Sequence, residues 1–535
     1  FHTIGNQYLG DVDIFNINLM KPADVDVDGI MGELGQIGKY QIKSFLWTFI
    51  PVALCALHAS NYIFTTPEVA YRCKIPDCDG VNTNYDQPWL SNAIPPGVKC
   101  SRYSRITNQC LRRKGQNIWK AEVANLQKKL YFKFFILFQV HIPCEGWKRT
   151  LIGTMHSVGT LFALPLIGAF SDRFGRRHAL VVSSTFEGIF GIIKSFSINY
   201  GMFAAMELLE PTFGSGVYTS AYILALESLT PKTRVAGGAL MFIYFAIGQI
   251  LMGAIASGIS YWRTFLQVIY PPSLLMFVFY WISDESIRWL ITKHKYQNAI
   301  DVLNKIAIQN KIELPDKALE SLKFNVENAD KFEYDTVIDE KGNEQKHVSP
   351  LRLVIKSKIL ILRVFKASVW WITCTFCFYG LSINSATVLK FNPYVNYILS
   401  ATVEIPAHIV GYFGLTYFGR KKTIFTAFLI DSILFSDLSW LSLIAYLLGK
   451  GCVALVFGGV YLYTSELFPT PLRHSLLAMC SMIGRIGSIA APQTPLLVSF
   501  FANYFRRILL KFFLKFFDVS SSLTIQKLFF ILTII

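Results

Sequence analysis

Most of the chain consists of apolar stretches as long as a lipid bilayer is thick, joined by short polar turns. A membrane-spanning helix needs roughly 20 mostly apolar residues, and eleven stretches have about that length. The predicted spans are 44–65, 150–170, 178–198, 201–223, 236–258, 262–283, 367–389, 393–416, 423–440, 441–464 and 475–500. The pattern therefore predicts an all-α integral membrane protein.

Two long polar segments interrupt this pattern and divide the chain. One follows the first span at 66–149, and the other lies between the sixth and seventh spans at 284–366. The second is rich in lysine and has apolar positions at helical spacing, which indicates a cytoplasmic linker. The predicted divisions are a cytoplasmic segment 1–43, a six-span bundle 44–283, the linker 284–366, a second bundle 367–500 without a recognisable twelfth span, and an atypical tail 501–535.

The cysteines are concentrated in the loop after the first span. Clustering in one polar loop favours disulfides in an oxidising compartment, so we expect 66–149 to be extracellular. Their pairing stays open, and a zinc site is the alternative, which the absence of paired metal-ligand spacing disfavours. We expect neither a metal nor a cofactor. The disulfide candidates are Cys73, Cys78, Cys100, Cys110 and Cys144.

Composition supports membrane insertion and explains the positive charge. The chain is 53% hydrophobic and only 16% charged, with a net charge of +16. Lysine and arginine lie at the ends of the apolar runs, where cytoplasmic loops of membrane proteins carry them. We therefore expect a lipid bilayer and no nucleic acid as a partner. The basic turns 172–177 and 420–422 fall in the cytoplasm, as does the N-terminus.

A pair of charged motifs occurs twice, about 240 residues apart. Asp172-Arg173-Phe174-Gly175-Arg176-Arg177 is followed by Glu227 and Arg234, and Phe418-Gly419-Arg420-Lys421-Lys422 is followed by Glu466 and Arg473. Duplicated units of membrane spans are typical of alternating-access transporters. We expect the carboxylates and arginines to form a cytoplasmic gate; the alternative is that the basic turns only set topology. The predicted gate residues here are Asp172, Arg173, Gly175, Arg176, Arg177, Glu227, Arg234, Gly419, Arg420, Glu466 and Arg473.

These motifs resemble those of the major facilitator superfamily, whose fold is two six-span helical bundles. Glu285-Ser286-Ile287-Arg288-Trp289-Leu290 is similar to the family signature after the sixth span, with Ile287 in place of a proline, and adds Glu285 and Arg288 to the gate. Sugar transporters share these elements. Tyr71-Arg72-Cys73, Gly449-Lys450-Gly451-Cys452, Tyr463–Thr470 and Gly484–Ser488 instead resemble the organic cation/anion/carnitine transporter family.

The resemblance also implies a substrate cavity. Arg485 lies in the eleventh span, at a position where anion and carnitine carriers of that family have arginine; its guanidinium would hold a carboxylate, unless a neighbouring helix or the interface satisfies it. Trp371, Phe378 and Tyr379 share a helical face, and aromatic faces attract quaternary ammonium groups. Packing between helices is the alternative for each aromatic. The candidates are Arg485, Tyr379, Phe378, Trp371, Phe457, Tyr244, Phe245 and Gln249.

We therefore interpret the chain as a plasma-membrane transporter of small organic ions (cations, anions or zwitterions such as carnitine). We expect it to work by alternating access and not to be an enzyme. A facilitator of sugars or other small solutes, or a non-transporting relative, is the alternative. The chain begins at Phe1, which indicates a fragment, and 128–143 and 501–535 read as mispredicted or non-coding sequence. The sequence indicates no oligomeric state.

Overall fold

The structure is a computed structural model, and its description is limited to part of the chain. It describes residues 26–35, 37–66, 101–107, 111–117, 146–230, 233–259, 261–314, 316–327, 337–338, 344–345, 358–388, 392–419, 422–424, 426–427, 442–468 and 473–494. The five loop cysteines, Arg420, and the insertion 128–143 and tail 501–535 lie outside these residues. Most of the predicted span 423–440 does too.

The first half of the chain forms a helical bundle. Short breaks divide two of its spans. The helices Tyr200–Gly214 and Gly216–Glu227 meet at Ser215, and Pro271 and Pro272 begin a new helical segment after Ile269. The helices are α1 Val27–Glu33, α2 Lys39–Ala59, α3 Tyr62–Thr65, α4 Gly146–Phe174, α5 Arg176–Ser195, α6 Tyr200–Gly214, α7 Gly216–Glu227, α8 Arg234–Gly258, α9 Trp262–Ile269, α10 Pro271–Leu274 and α11 Phe279–Ile282, with a 3-10 turn at Leu275–Val278 between the last two.

The linker and the second half are also helical. The linker contains α12 Ile287–Thr292, α13 Tyr296–Asn310 and α14 Asp316–Glu327. The second bundle contains α15 Lys358–Val388, α16 Pro393–Phe413 with a π-helical turn at Gly414–Phe418, α17 Ser442–Leu467, and α18 Arg473–Ala490 with a 3-10 turn at Ala491–Gln493. Asn392 begins α16 because its side chain accepts a hydrogen bond from the backbone N–H of Tyr394, and Pro393 fits the first helical position.

Two small antiparallel hairpins interrupt the helical pattern. Strands β1 Ser101–Thr107 and β2 Leu111–Asn117 pair within the loop after the first span, and β3 Val337–Ile338 pairs with β4 Glu344–Gln345 in the linker. The all-α prediction therefore holds for the spans, whereas these polar segments contain hairpins that it did not anticipate.

Two helices extend beyond the predicted spans. Helix α4 covers Gly146–Phe174 where 150–170 was predicted, and α15 begins at Lys358 where 367 was predicted. Hydropathy marks only the part inside a bilayer, whereas the backbone hydrogen bonds continue into the charged ends. Among the described residues, seven stretches are long and apolar enough to cross a membrane. Helix α5 is not among them because Glu187 and Lys194 reduce its hydropathy.

The linker packs against the first bundle. Asn310, the last residue of α13, accepts a hydrogen bond from the backbone N–H of Tyr40 (3.0 Å) and donates one to the carbonyl oxygen of Leu34 (2.8 Å). The hydroxyl of Tyr40 donates to Asp284, which also pairs with Lys305 at 2.7 Å. Helices α12 and α13 are thereby attached to the start of α2.

The two bundles face each other along α8 and α16 and along α4 and α18. A Cβ atom on Gly253 of α8 would lie 2.6 Å from Ile398 of α16, so the glycine permits this close approach. At the end of α4 away from Gly175, the side chain of Gln493 bonds Thr150 (3.2 Å) and Thr154 (2.6 Å). These contacts join the bundles beside an internal cavity.

Candidate functional site: a charged cavity between the two bundles

A cavity lies between the bundles, and both of them contribute to its wall; the empty space within it, including the part open to solvent, is about 990 Å³. Its lining residues are Cys55, Ala59, Tyr62, His156, Ser157, Thr160, Glu187, Glu210, Pro211, Ser215, Tyr218, Thr219, Phe242, Phe245, Phe378, Tyr379, Glu404, His408, Phe457, Tyr461, Arg485 and Ser488. Aromatic rings form much of the wall, and charged groups lie on opposite sides.

Arg485 and Tyr379 form one polar feature of the wall from the second bundle. The guanidinium of Arg485 on α18 donates a hydrogen bond to the hydroxyl of Tyr379 on α15, at 2.9 Å. Gly484 and Gly487 of α18 lie against α15, where a Cβ atom on Gly487 would be 2.2 Å from the carbonyl oxygen of Ile372. This close packing fixes where the guanidinium reaches the cavity. Its Nε has no hydrogen-bond partner among the described residues.

A buried ion pair forms a second polar feature of that wall. The ammonium group of Lys450 on α17 lies 2.9 Å from the carboxylate of Glu404 on α16 and donates to the hydroxyl of Ser382 at 2.6 Å. It also lies 3.6 Å from the centre of the Phe378 ring. One turn after Glu404, His408 stacks on Phe242 of the first bundle, with ring centroids 5.0 Å apart.

The first bundle presents a larger ionic group. Glu187 of α5 approaches Nδ1 of His58 at 3.2 Å. Farther along α5, the ammonium group of Lys194 contacts Glu207 at 3.0 Å and Glu210 at 2.9 Å, and both carboxylates belong to α6. All five side chains are buried.

The predicted binding residues divide into two groups. Arg485, Tyr379, Phe378, Phe457 and Phe245 line the cavity.

The other three predicted residues are not among the described lining residues. Trp371 is 1% exposed and lies behind the wall, where its indole N–H donates to Thr464 and its ring packs edge-on against Tyr461. Tyr244 packs against Phe49. Gln249 is buried next to Gly248, whose close approach to Ala53 joins α8 to α2. These placements correspond to helix packing, the alternative weighed from the sequence.

Sequence reasoning missed the acidic part of the wall. Glu187, Glu210 and Glu404 all lie within predicted spans, where charges are costly and indicate function. The same rule that selected Arg485 would have selected these carboxylates. Their assembly from separate helices was the information that the sequence pattern lacked.

The predicted gate residues of the first bundle form a compact cluster with the start of the linker. Glu285 accepts hydrogen bonds from the backbone N–H groups of Arg176 and Arg177 (2.9 and 3.2 Å), so it caps the first turn of α5. The side chain of Arg176 pairs with Asp172 at 2.8 Å and approaches Glu227 at 3.6 Å. Thus Glu285 of the linker caps the turn before α5, and the side chain of Arg176 joins Asp172 and Glu227 to the same turn.

Gly175 makes this turn possible. Its φ angle is +109°, a region that favours glycine, and a Cβ atom there would lie 2.2 Å from the Glu285 carboxylate. Gly419 has the corresponding angle in the second half, +85°. The repeated motifs therefore adopt a similar backbone turn. Arg173, in contrast, is exposed and lies over the ring of Phe174.

Asp28 joins two further gate residues to the N-terminal helix α1. Its carboxylate pairs with Arg234 at the start of α8 (2.8 Å) and with Arg288 of α12. Partial burial alone would raise the pKa of Asp28, but the two guanidinium groups outweigh it and hold that pKa below its usual range. The side chains of Glu466 and Arg473 lie outside the described residues, so the corresponding contact in the second half stays a prediction.

Comparison with known proteins agrees with this architecture. The model of the Major Facilitator Superfamily matches residues 146–492. The chain belongs to this superfamily. The match confirms the predicted fold class and a multi-pass membrane protein.

Individual relatives cover almost the whole chain. It is 26% identical over 490 residues to "Organic cation transporter protein" of Drosophila melanogaster, covering 88% of this chain and 86% of that one. It is 27% identical over 501 residues to human "Organic cation/carnitine transporter 2", covering 87% and 86%. Among solved structures, the xylose transporter XylE from E. coli in a partially occluded inward open conformation superimposes with a TM-score of 0.56 at 15% identity, covering 92% and 98% of the two chains. This last similarity concerns the fold alone.

Proposed function

We propose that this superfamily member transports small organic ions across the plasma membrane by alternating access, with its N-terminus in the cytoplasm. The observation that carries the proposal is the cavity between the bundles, with Arg485 on one wall and Glu187 and Glu210 on the other. A pocket for neutral sugars needs hydrogen-bonding groups but no ionic ones, whereas this wall adds ionic groups to its hydroxyls and aromatic rings. The names of the relatives point to the same class of substrate.

Each wall suits one kind of charged group. The Arg485 guanidinium offers paired N–H donors to a substrate carboxylate. An ammonium group fits the opposite wall, where Tyr62 and Tyr218 lie beside the carboxylates. A substrate that carries either charge, or both, therefore finds a complementary surface within one cavity.

The gate cluster supplies the second element of the mechanism. Asp28 and Glu285 connect the basic ends of α5 and α8 to the linker. Individual exposed pairs contribute about 0–1 kcal/mol, but several together can bias a two-state equilibrium with a gap of a few kcal/mol. We expect this cluster to stabilise one of the two states that expose the cavity to opposite sides.

Uptake into cells that express the full chain tests the function. Labelled carnitine, tetraethylammonium and p-aminohippurate represent a zwitterion, a cation and an anion. Uptake of at least one above mock-transfected cells is expected, and uptake of none despite surface expression would contradict the proposal.

Arg485→Ala tests the assignment of the wall that binds anionic groups. Hydrogen bonds to charged groups contribute about 1.5–3 kcal/mol, so uptake of the carboxylate probes should fall roughly tenfold to a hundredfold and tetraethylammonium uptake much less. Arg263→Ala is the matched control, because this arginine bonds a backbone carbonyl (Ser197) away from the cavity. Equal loss for all three probes would remove the anchoring role of Arg485.

A further inference from the structure

The ionic group of the first bundle is more elaborate than packing requires. We define the acidic cluster as His58, His156, Glu187, Lys194, Glu207 and Glu210, which α2, α4, α5 and α6 contribute. Every member is less than 9% exposed. Two glycines make room for it: a Cβ atom on Gly214 would lie 2.6 Å from the Glu187 side chain, and one on Gly191 would lie 2.1 Å from the Tyr270 ring. The absence of side chains at Gly191 and Gly214 thus lets Tyr270 and Glu187 pack directly against the helix backbone.

Lys194 occupies the position where a metal ion would otherwise fit. His156, Glu207 and Glu210 place possible ligand atoms within 4.8 Å of one another. The ammonium group of Lys194 lies between the two carboxylates, and the hydroxyl of Tyr270 and the amide oxygen of Asn61 complete its surroundings at 2.9 and 3.3 Å. The lysine serves as a tethered cation, so this part of the cluster already has its positive charge.

The His58–Glu187 pair, in contrast, requires a mobile proton. Nε2 of His58 lies 2.9 Å from the carbonyl oxygen of Ile269, which can only accept, so Nε2 carries a hydrogen. Nδ1 lies 3.2 Å from Oε1 of Glu187, although the two atoms are not aligned as a hydrogen bond. Without a further proton, the partial negative charge of Nδ1 would lie beside a carboxylate oxygen and the contact would be repulsive. One proton must therefore reside on His58 or on Glu187.

Charge counting across the acidic cluster leads to the same conclusion. Three carboxylates face one ammonium group, which leaves an excess of two negative charges unless protons are bound. Nδ1–H of neutral His156 can donate to Glu207 at 3.0 Å without any additional proton. Because uncompensated charge is costly away from water, protonation of the remaining groups is the available route to near-neutrality.

The pair is accessible from the cavity. Glu187 lines the wall, is 3% exposed, and its Oε2 has no hydrogen-bond partner among the described residues. A buried carboxylate oxygen without a partner that borders a cavity is available to a proton or to a ligand cation. His58 is fully buried behind it and stacks on Tyr270 with ring centroids 4.4 Å apart.

We propose that the His58–Glu187 pair is a proton-binding site that exchanges its proton with the cavity, and, resting on the proposed function, that an organic cation entering the cavity displaces this proton. Loss of the proton lowers the net charge of the pair by one, and the ammonium group of the substrate compensates for it. Cation and proton then occupy the site alternately, so they cross the membrane in opposite directions.

The charged and titratable groups that face the pair determine how proton and cation binding respond to pH. Lys194 on α5 is the fixed positive charge, whereas Glu207 and Glu210 on α6 add negative charge. His156 on α4 is hydrogen-bonded to Glu207, and Tyr270 after α9 contributes a hydroxyl. Cys55 on α2, a free thiol, completes the titratable neighbours. Acidification is therefore expected to fill the site with protons and to reduce cation binding.

Infrared difference spectroscopy of the purified full chain tests the proton site without any substrate. Acidification from about pH 8 to about pH 5 covers the range in which histidine usually titrates. We expect carboxyl and imidazole bands that Glu187→Gln abolishes. Glu404→Gln is the matched control, because Glu404 is equally buried but is paired with Lys450. His58→Gln provides a second variant if Glu187→Gln does not fold, and unchanged bands in the folded variant would overturn the site.

Transport of tetraethylammonium by the full chain in liposomes tests the coupling. With an acidic lumen, one-for-one exchange limits accumulation to about tenfold per pH unit. Glu187→Gln should abolish this accumulation. In the wild type, counterflow of labelled against unlabelled tetraethylammonium, which needs no net proton movement, should persist without a pH gradient. Asp284→Asn should keep its response to the gradient, because Asp284 pairs with Lys305 and is not among the described lining residues of the cavity.

The possible results separate the two proposals. Counterflow by the wild type without any response to pH, or accumulation that follows a sodium gradient instead, would overturn proton exchange while leaving the transport function intact. Absence of both counterflow and accumulation would count against cation transport, and the infrared result would still decide whether the pair binds a proton.

Discussion

The two bundles solve the problem of buried charge differently. In the second bundle, Glu404 and Lys450 form a one-to-one pair. In the first, Lys194 is shared by Glu207 and Glu210 while Glu187 depends on His58. A balanced pair needs nothing from outside, whereas the acidic cluster has excess negative charge. A duplicated fold can thus neutralise the buried charge of one half with its own side chains and leave the other half dependent on a mobile ion.

The largest expected effect comes from removing the shared lysine. Lys194→Met leaves two adjacent carboxylates without their cation, and breaking a buried ion pair costs about 3–5 kcal/mol. Lys450→Met should cost less, because it leaves a single carboxylate that can take up a proton. Thermal unfolding of the purified proteins measures the difference. Equal destabilisation would mean that the two bundles do not differ in the way described.

The repeated turns offer a second contrast between the halves. Gly175→Ala forces a side chain into a positive-φ conformation that is essentially restricted to glycine, at about 1–3 kcal/mol, and also displaces Glu285. Among the described residues, nothing lies within 4 Å of the Cβ position of Gly419, so we expect Gly419→Ala to carry the conformational cost alone. We expect slower uptake and a lower unfolding temperature for the first variant. An equal effect of both variants would exclude a special role for the Glu285 contact.

A smaller effect should follow from filling the space beside Glu187. Gly214→Ala places a methyl group 2.6 Å from the Glu187 side chain, and overpacking typically costs about 1–3 kcal/mol. The control is Gly168→Ala, since no atom of the part of the chain that the structure describes lies within 4 Å of that Cβ position. Thermal unfolding and the infrared pH response should both change in the first variant only. A pH response that survives Gly214→Ala would show that the site tolerates displacement of Glu187.

The smallest effect concerns Asp28, which belongs to the first half alone. Because the pKa of Asp28 is lowered in the folded protein, its pairing stabilises α1 fully above the ordinary carboxyl pKa of 3.8 and is lost as the pH falls through the lowered value. Hydrogen exchange of residues 27–33 should therefore show less protection in Asp28→Asn at neutral pH. Glu33→Gln, at the other end of α1, is the control. Identical protection in wild type and Asp28→Asn would rule out this contribution.

The sequence was a good guide wherever one segment carries the information. The duplicated motifs predicted two bundles. Arg485 was selected because a charged residue within a membrane span is costly and therefore indicates function. Contacts between segments were different. Trp371 shares a helical face with Phe378, but it lies two turns away, where Thr464 binds its indole N–H. The partners of Lys194 lie on other elements, and the tethered cation became apparent only once Glu207, Glu210 and Asn61 were placed around it.

The attachment of Asn310 to Tyr40 and Leu34 has a consequence for how motion can be observed. Helix α13 must move together with α2 whenever the bundles rock, although in sequence it lies between them. A fluorophore on its exposed Lys305 face would keep a constant distance from one on α2 and change its distance from one on α16. A fluorophore on the linker would therefore report the movement of the two bundles during the transport cycle through changes in energy transfer.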